Sequence, residues 1–512
     1  MHAGGDKVSN GNNGTQGPAQ EVIVVGRGNA ALCAALAAHE QGAKVLILEV
    51  ASEEESGGNS RYAGGLMRFA YDGVDDLRQL MPISDEEAAN TDWDSNTKDQ
   101  FYDDMYASTN FRTDPDLSEL LVTRSFPTMV WLRSQGVRFV PTYQNSVVID
   151  GRRIFSGRMP LQINGGGAGL VEFLSAAAVK KGVPTLYGTR AVGLLYDGEK
   201  VGGVRVKSAG TTREIRAAAV VLACGGFEAN PEWRARYLGP GWDLAKVRGT
   251  KYNVGDGLKM ALEIGAAPFG HWSGAHAISW DLDAPDMGDT EISHEAHRHC
   301  FPWSVMINAE GRRFVDEGAE FYGYTYAKYG AEILKQPGQF AWQVFDGKVT
   351  HLLWNEYWKK RVKRVSAQTI EELAGKLEGV DPKGFLDTVA KYNASIRKDI
   401  PFDPSRKDGR CTEGVAPKKS NWANTLDTPP FEAFGVACGI TFTYGGLRTK
   451  PPTGEVVDVT GNPIPGLYTG GEMLGGLFYT NYPAAAGLVA GAVFGKIAGD
   501  AAGKHARGGA GR

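Results

Sequence analysis

At 512 residues the chain is long for one core and suggests two packed units. Its 55 Lys+Arg and 59 Asp+Glu leave a formal net charge of −4, so there is no broad cationic field to displace the counterions of a nucleic acid. The five cysteines, Cys33, Cys224, Cys300, Cys411 and Cys438, fall in no CxxC or CxxCH spacing; this argues against c-type haem, thioredoxin-like redox chemistry and a cysteine zinc site, and the apolar context of Cys33 and Cys224 reads as buried thiols.

Residues 1–19 are polar and Gly/Asn-rich with no apolar signal core, and read as a disordered tail. No stretch has the apolar length of a membrane span, so a cytoplasmic location is the expectation. The run Glu21-Val22-Ile23-Val24-Val25 is a buried strand leading into Gly26-Arg27-Gly28-Asn29-Ala30-Ala31, then a helix, then a second strand, Lys44 to Leu48, ending in Glu49. This is a dinucleotide-binding layout. Gly26 permits the tight turn, Gly28 admits a pyrophosphate to the backbone, and the helix start from Asn29 offers N–H groups to its charge. Ala31 replaces the third glycine, which serves only helix packing. Glu49 is placed to accept hydrogen bonds from ribose hydroxyls and to repel a ribose phosphate. The residues leave FAD and NAD open.

A glycine-rich loop follows from Gly57 to Gly65, then mostly helical sequence to about Gln135. Gly165 to Gly169 open a helix over Leu170 to Val179, and Thr189 to Val206 predicts a hairpin around Asp197-Gly198. Ala219 to Ala223 is a buried strand ending in Cys224-Gly225-Gly226. From Phe269 the texture changes to tryptophans, histidines, charged helices and a loop-rich stretch over Pro401 to Thr428, before a Gly-rich apolar pattern returns at Gly435. The expected architecture is α/β with an α+β cap: a Rossmann-like nucleotide-binding domain over 20–268 and 435–502, an inserted substrate-capping domain over 269–434, and a second tail over 503–512.

The ordered segments GRGNAA with Glu49, GGNSRYAGG (57–65), VVLACGGFEANPE (220–232), NVGDGLKMALEIGA (253–266), INAEGRRFVDE (307–317), GITFTYGGL (439–447) and IPGLYTGGEMLGGL (464–477) resemble the fumarate reductase/succinate dehydrogenase flavoprotein family. Within it the chain is most similar to the tricarballylate dehydrogenase branch. The resemblance implies an FAD-dependent oxidoreductase that moves hydride between a substrate carbon and flavin N5 while a side chain moves a proton at the neighbouring carbon. It implies FAD contacts at Gly26, Gly28, Asn29, Ala30, Ala31 and Glu49, and in the following loop at Gly58, Asn59, Ser60, Gly64 and Gly65. Further contacts are implied at Val192, at Ala223, Gly225 and Gly226, and at Asp256. The last are at Gly471 and Glu472 and at the helix start Gly487-Leu488, whose N–H groups can face the flavin C2 carbonyl. Covalent relatives carry a histidine ahead of the closing Gly-Gly; Gly58 to Gly65 has none, so FAD is expected to be non-covalent.

The match to fumarate reductases fails at their arginines. After RRFVDE the chain continues Gly318-Ala319-Glu320-Phe321-Tyr322-Gly323-Tyr324, with Tyr322 in the proton-donor slot, and the residue after Asn481 is Tyr482. Without those forks a dicarboxylate loses its bidentate partners. Two tyrosines there resemble the 3-ketosteroid dehydrogenase branch, which implies Tyr482 and the N–H of Ala486 as a carbonyl clamp and Tyr322 as the proton-transfer residue. A phenol needs help to act as a base; Arg313 or Lys328 are candidates. His276 aligns with the family's substrate histidine.

His294 and His297 have helical metal-ligand spacing beside Arg298 and His299, but no third ligand is evident and no metal is expected. The expectation is a CH–CH oxidoreductase with a small carbonyl substrate, a ketone favoured. A carboxylate enzyme using Arg61, Arg68 or Arg298 is the alternative, and a non-catalytic flavoprotein partner a third reading. No iron–sulfur or haem motif is present, so electrons are expected to pass to or from an external carrier.

Overall fold

The computed structural model describes residues 20–155, 157–292 and 294–509. The expected N-terminal tail, 1–19, lies outside them. Strand β1 (Gln20–Val25), helix α1 (Asn29–Glu40) and strand β2 (Val45–Leu48) open the chain. β1 sits at the middle of the main sheet, parallel to β2 on one side and to the strand Thr211–Leu222 on the other. That strand runs parallel to Pro463–Thr469, so chain from both ends of the sequence builds one sheet. Both faces of β1 are packed, Val22 and Val24 in one apolar cluster and Ile23 and Val25 in another, which is why the strand is apolar throughout rather than alternating.

The predicted hairpin forms between Arg190–Tyr196 and Val201–Ser208, with the Asp197 carboxylate accepting from the N–H groups of Glu199 and Lys200. The predicted helix after Gly165 runs Gly166–Lys180. Between residues 66 and 135 the longer helices are Lys98–Ser108 and Pro115–Ser134.

A second sheet is organised on the 17-residue strand Phe431–Leu447, which pairs antiparallel with Pro268–Asp281, Phe340–Phe345 and Arg364–Ala367. The expected seam at 434/435 lies inside this strand, which is continuous because its buried apolar face packs throughout against the second sheet's neighbours.

The expected tail from 503 is instead helix: Ala486–Gly509 is one element. Its glycines recur every four residues. A Cβ at Gly495 would lie 2.3 Å from the Ala30 carbonyl oxygen, one at Gly499 2.2 Å from that of Ala34, and one at Gly503 2.9 Å from that of Ala38. The stripe lets the C-terminal helix press against α1, and Ala502 and Ala506 are buried beside it. Among the described residues no helix is long and apolar enough to cross a membrane.

Candidate active site

Where β1 ends, Gly26 has φ +106° and lies so close to the next strand that a Cβ would fall 2.4 Å from the Ala223 carbonyl oxygen. The chain then turns into α1 through Gly28, which has no side chain to cap the helix. The cap comes from 31 residues away: the Ser60 hydroxyl accepts from the Asn29 N–H at 3.0 Å. Asn29 in turn donates to the Leu488 carbonyl at 2.7 Å, joining the N-terminal loop to the start of the C-terminal helix.

Around this turn lies a narrow cleft of about 120 Å³, lined by Gly26, Gly28, Asn29 and Ala30, by Glu49, and by Ala223, Gly225 and Asp256. Glu49 closes its far end, buried, with one oxygen on the Ala51 N–H at 2.8 Å; burial raises its pKa. Asn59, Ser60 and Glu472 line both this cleft and a second, larger cavity of about 760 Å³. Asn59 pins the junction, donating to Glu228 Oε1 and the Thr441 carbonyl, each at 2.5 Å, and accepting from the Thr250 N–H at 2.8 Å. Glu228 lies against Glu472; burial first and then the neighbouring carboxylate push the Glu228 pKa well above the usual range.

The large cavity has an aromatic wall. His276 stacks on Phe442 at 5.0 Å and meets Tyr326 and Tyr482 edge-on at 5.1 and 4.9 Å. Neither ring nitrogen of His276 has a partner, and burial, followed by Arg248, drives its pKa well below normal, so it faces the cavity as a neutral imidazole. Tyr326 and Tyr482 share a hydrogen bond at 2.5 Å. Burial raises both, Tyr326 well above the usual phenol range. The Tyr322 hydroxyl is pushed up to about 12, mainly by burial. His297 and His299 are held well below normal for the same reason.

An elongated dinucleotide fits these joined spaces. Glu49 would meet a ribose at one end, the start of α1 with its remaining N–H groups would meet the pyrophosphate, and the helix start at Gly487 and Leu488 lines the large cavity where a ring would lie. Asn59 and Ser60 turn their side chains to protein partners, leaving backbone to face the ligand. Gly64, Gly65 and Gly471 line the large cavity.

Four of the expected positions do not line either space. Ala31 is buried in the packing of α1. Val192 turns outward, 39% exposed, while its predecessors Thr189, Arg190 and Ala191 line the cleft. Gly226 supports the site from behind: a Cβ there would strike Glu472 Oε1 at 2.2 Å. The Ala486 N–H is already spent on the Pro483 carbonyl at 3.1 Å, so it is not free to clamp a substrate carbonyl. The turn it belongs to is tight, with Ala485 at φ +66°.

The expected arginines are committed elsewhere. Arg68 pairs with Asp104 at 2.5 Å and donates to the Ala484 carbonyl at 2.8 Å, and Arg298 pairs with Asp281 at 2.8 Å. Arg61 lines the cavity but gives its guanidinium to the Glu54 and Ser56 carbonyls. Arg313 is held by Glu317 and Lys328 lies over Tyr329, so neither serves Tyr322. His294 sits in a turn and His297 in an isolated β-bridge with Trp280, not on a helix.

Two residues were missed. Tyr326 opens the helix Tyr326–Leu334 one turn after Tyr322, and the alternating tyrosines at 322, 324 and 326 were the available signal. Arg248 reaches the cavity from an irregular segment, and nothing in its local sequence marks it.

The family model described as "FAD binding domain" matches residues 21–489. The chain is similar to "Probable fumarate reductase Ifc3" of Shewanella frigidimarina (strain NCIMB 400), 29% identical over 504 residues covering 96% of this chain and 76% of that protein. It is also similar to "3-oxosteroid 1-dehydrogenase" of Mycobacterium tuberculosis (strain ATCC 25618 / H37Rv), 27% identical over 381 residues covering 69% of this chain and 66% of that one. Among solved structures, the open conformation of a flavocytochrome c3 fumarate reductase superposes with a TM-score of 0.70 at 28% identity, covering 95% of this chain and 78% of that chain.

Proposed function

The chain belongs to the FAD binding domain family, and from that premise we propose that it acts on a C–C bond alpha,beta to a carbonyl, ketones favoured, with phenols handling the proton. It is an FAD-dependent oxidoreductase of CH–CH groups. The flavin, when bound, supplies hydride exchange at N5.

The observation that carries the reading is the Tyr326–Tyr482 hydrogen bond in the cavity wall beside an unengaged Tyr322 hydroxyl. Two phenols sharing one hydrogen bond use one O–H between them and leave the other to donate. That free O–H polarises a substrate carbonyl, and the one N–H of neutral His276, whose ring nitrogens have no partner among the described residues, donates to the same oxygen. Tyr322 then delivers a proton to the carbon beside the carbonyl. With a pKa of about 12 it is an acid at neutral pH, and only about one part in 10⁵ is phenolate at pH 7. The protonated phenol is the form that serves saturation of a double bond, and the phenolate the form that serves its formation. Gly487 and Leu488, at the start of the C-terminal helix, would hold the flavin with backbone N–H groups, which favour negative charge. Phe442 and Phe478 keep water from the reacting carbons.

Non-covalent attachment is part of the proposal, because no histidine lies between Gly58 and Gly65; acid precipitation should release the flavin into the supernatant. The substrate is tested anaerobically by mixing chemically reduced enzyme with enones and with unsaturated di- and tricarboxylates and following the return of the flavin's visible absorbance. Enones should restore it. Restoration by the polycarboxylates alone overturns the carbonyl preference.

A further inference from the structure

We propose that Arg248 is the specificity residue for a carboxylate on the substrate, and that the substrate is a flat monocarboxylate whose reacting C–C bond lies away from the acid group. The proposal rests on the reading above only for the place of the substrate.

Arg248 follows a short strand, its N–H fixed on the Ile440 carbonyl at 2.8 Å, and its side chain lines the large cavity. The guanidinium donates from Nη1 to the Thr441 hydroxyl at 3.3 Å and lies 5.6 Å over the Trp280 ring. Its Nε is buried without a partner. Among the described residues no carboxylate stands within ion-pair distance of it, whereas Arg68, Arg298 and Arg313 have Asp104, Asp281 and Glu317. Glu356, a carboxylate on the same cavity wall, makes no ion pair with it. The histidines around it are held neutral by burial and supply no negative charge.

A guanidinium cannot discharge itself by losing a proton, so the cavity carries a lasting positive charge with most of its donors unspent. Such a fork matches a carboxylate in two parallel hydrogen bonds. Arg61, the other cavity arginine, is anchored through Nη1 on the carbonyls of Glu54 and Ser56, whereas Arg248 keeps its Nε buried and unpartnered, so Arg248 is the one assigned to the acid group. The aromatic wall of Phe442, Phe478 and Trp354 favours a planar body.

Benzoate and benzamide differ at the group in question and can be titrated into the oxidised, flavin-loaded enzyme by the flavin difference spectrum. Benzoate should bind about 100-fold tighter. Arg248→Gln should lower benzoate to the benzamide level, and Arg248→Lys should recover part of the preference, with flavin content and melting unchanged. Equal affinity of the two probes for the unaltered enzyme overturns the proposal without any variant. So does an Arg248→Gln enzyme that keeps the preference, or one that keeps it while shifting the flavin midpoint potential, since Arg248 would then act on the cofactor. Neither probe needs to react, so a benzoate preference without enone turnover would defeat only the carbonyl reading.

Discussion

Replacing Arg68 separates a structural strut from a substrate ligand. In the sequence it flanks the flavin loop and looks available to an anion, but its side chain is 2% exposed and each of its three side-chain nitrogens has a partner. It pairs with Asp104, and Nε and Nη2 hold the Ala484 and Gly157 carbonyls at 2.8 and 3.1 Å, while its backbone N–H holds Ala485. Breaking a buried ion pair from one side costs about 3–5 kcal/mol. Asp104 keeps Arg158 at 3.0 Å, which brings the pair's share to the lower end. The two lost carbonyl bonds add about 1 kcal/mol each. Arg68→Met, which preserves bulk, should therefore destabilise the flavin-loaded enzyme by about 5 kcal/mol. The loss also frees the Ala484 carbonyl beside Ala485, whose positive φ costs about 1–3 kcal/mol, while the backbone bond from residue 68 to Ala485 is kept. Urea titration followed by tryptophan emission and by flavin release gives the stability change; steady-state kinetics gives the KM. An Arg68→Met enzyme with the midpoint of the unaltered protein and a KM raised tenfold would refute the strut and return Arg68 to the substrate.

Tyr322→Phe should lower double-bond reduction by a factor of about 10²–10⁴. Because the Tyr322 proton is held up to about 12, reduction by the unaltered enzyme should be level between pH 6 and pH 9, while any dehydrogenation, which needs the phenolate, should rise about tenfold per pH unit; both are read from single-turnover flavin absorbance. Glu49→Ala should weaken FAD binding by about 10- to 100-fold, the worth of a charged hydrogen bond, in a fluorescence titration of the apo-enzyme. Glycines of the last helix should divide by packing. Gly495→Ala must push against the Ala30 carbonyl and should lose about 1–2 kcal/mol even after the helix-propensity gain, whereas Gly508→Ala, with open space around it, should be neutral or slightly stabilising in thermal melts.

What could be read from the sequence follows the range of the interactions. The turn from β1 through Gly28 to Glu49 was legible because strand, loop and acid are set by neighbours in the chain. The cap on α1 was not, since the hydroxyl that satisfies Asn29 belongs to Ser60 and only the folded loop brings it there. Tyr322, Tyr482 and His276 were found because each sits in a motif with a fixed offset, yet their partner Tyr326 was passed over: its contact with Tyr482 spans 156 residues. Arg248 was invisible for a different reason. A guanidinium is ordinary in a sequence, and its significance lies in the carboxylate missing around it, which only the packed structure can reveal. The glycines mislead in the opposite direction. Read as permissive backbone, those after residue 500 suggested a tail; Gly503 instead continues the stripe of Gly495 and Gly499, spaced by four on a helix, into which the carbonyls of α1 fit. The same residue type thus marks ligand approach at Gly28 and helix contact at Gly499, and the distinction rests on whether the space a Cβ would take faces a cavity or another backbone.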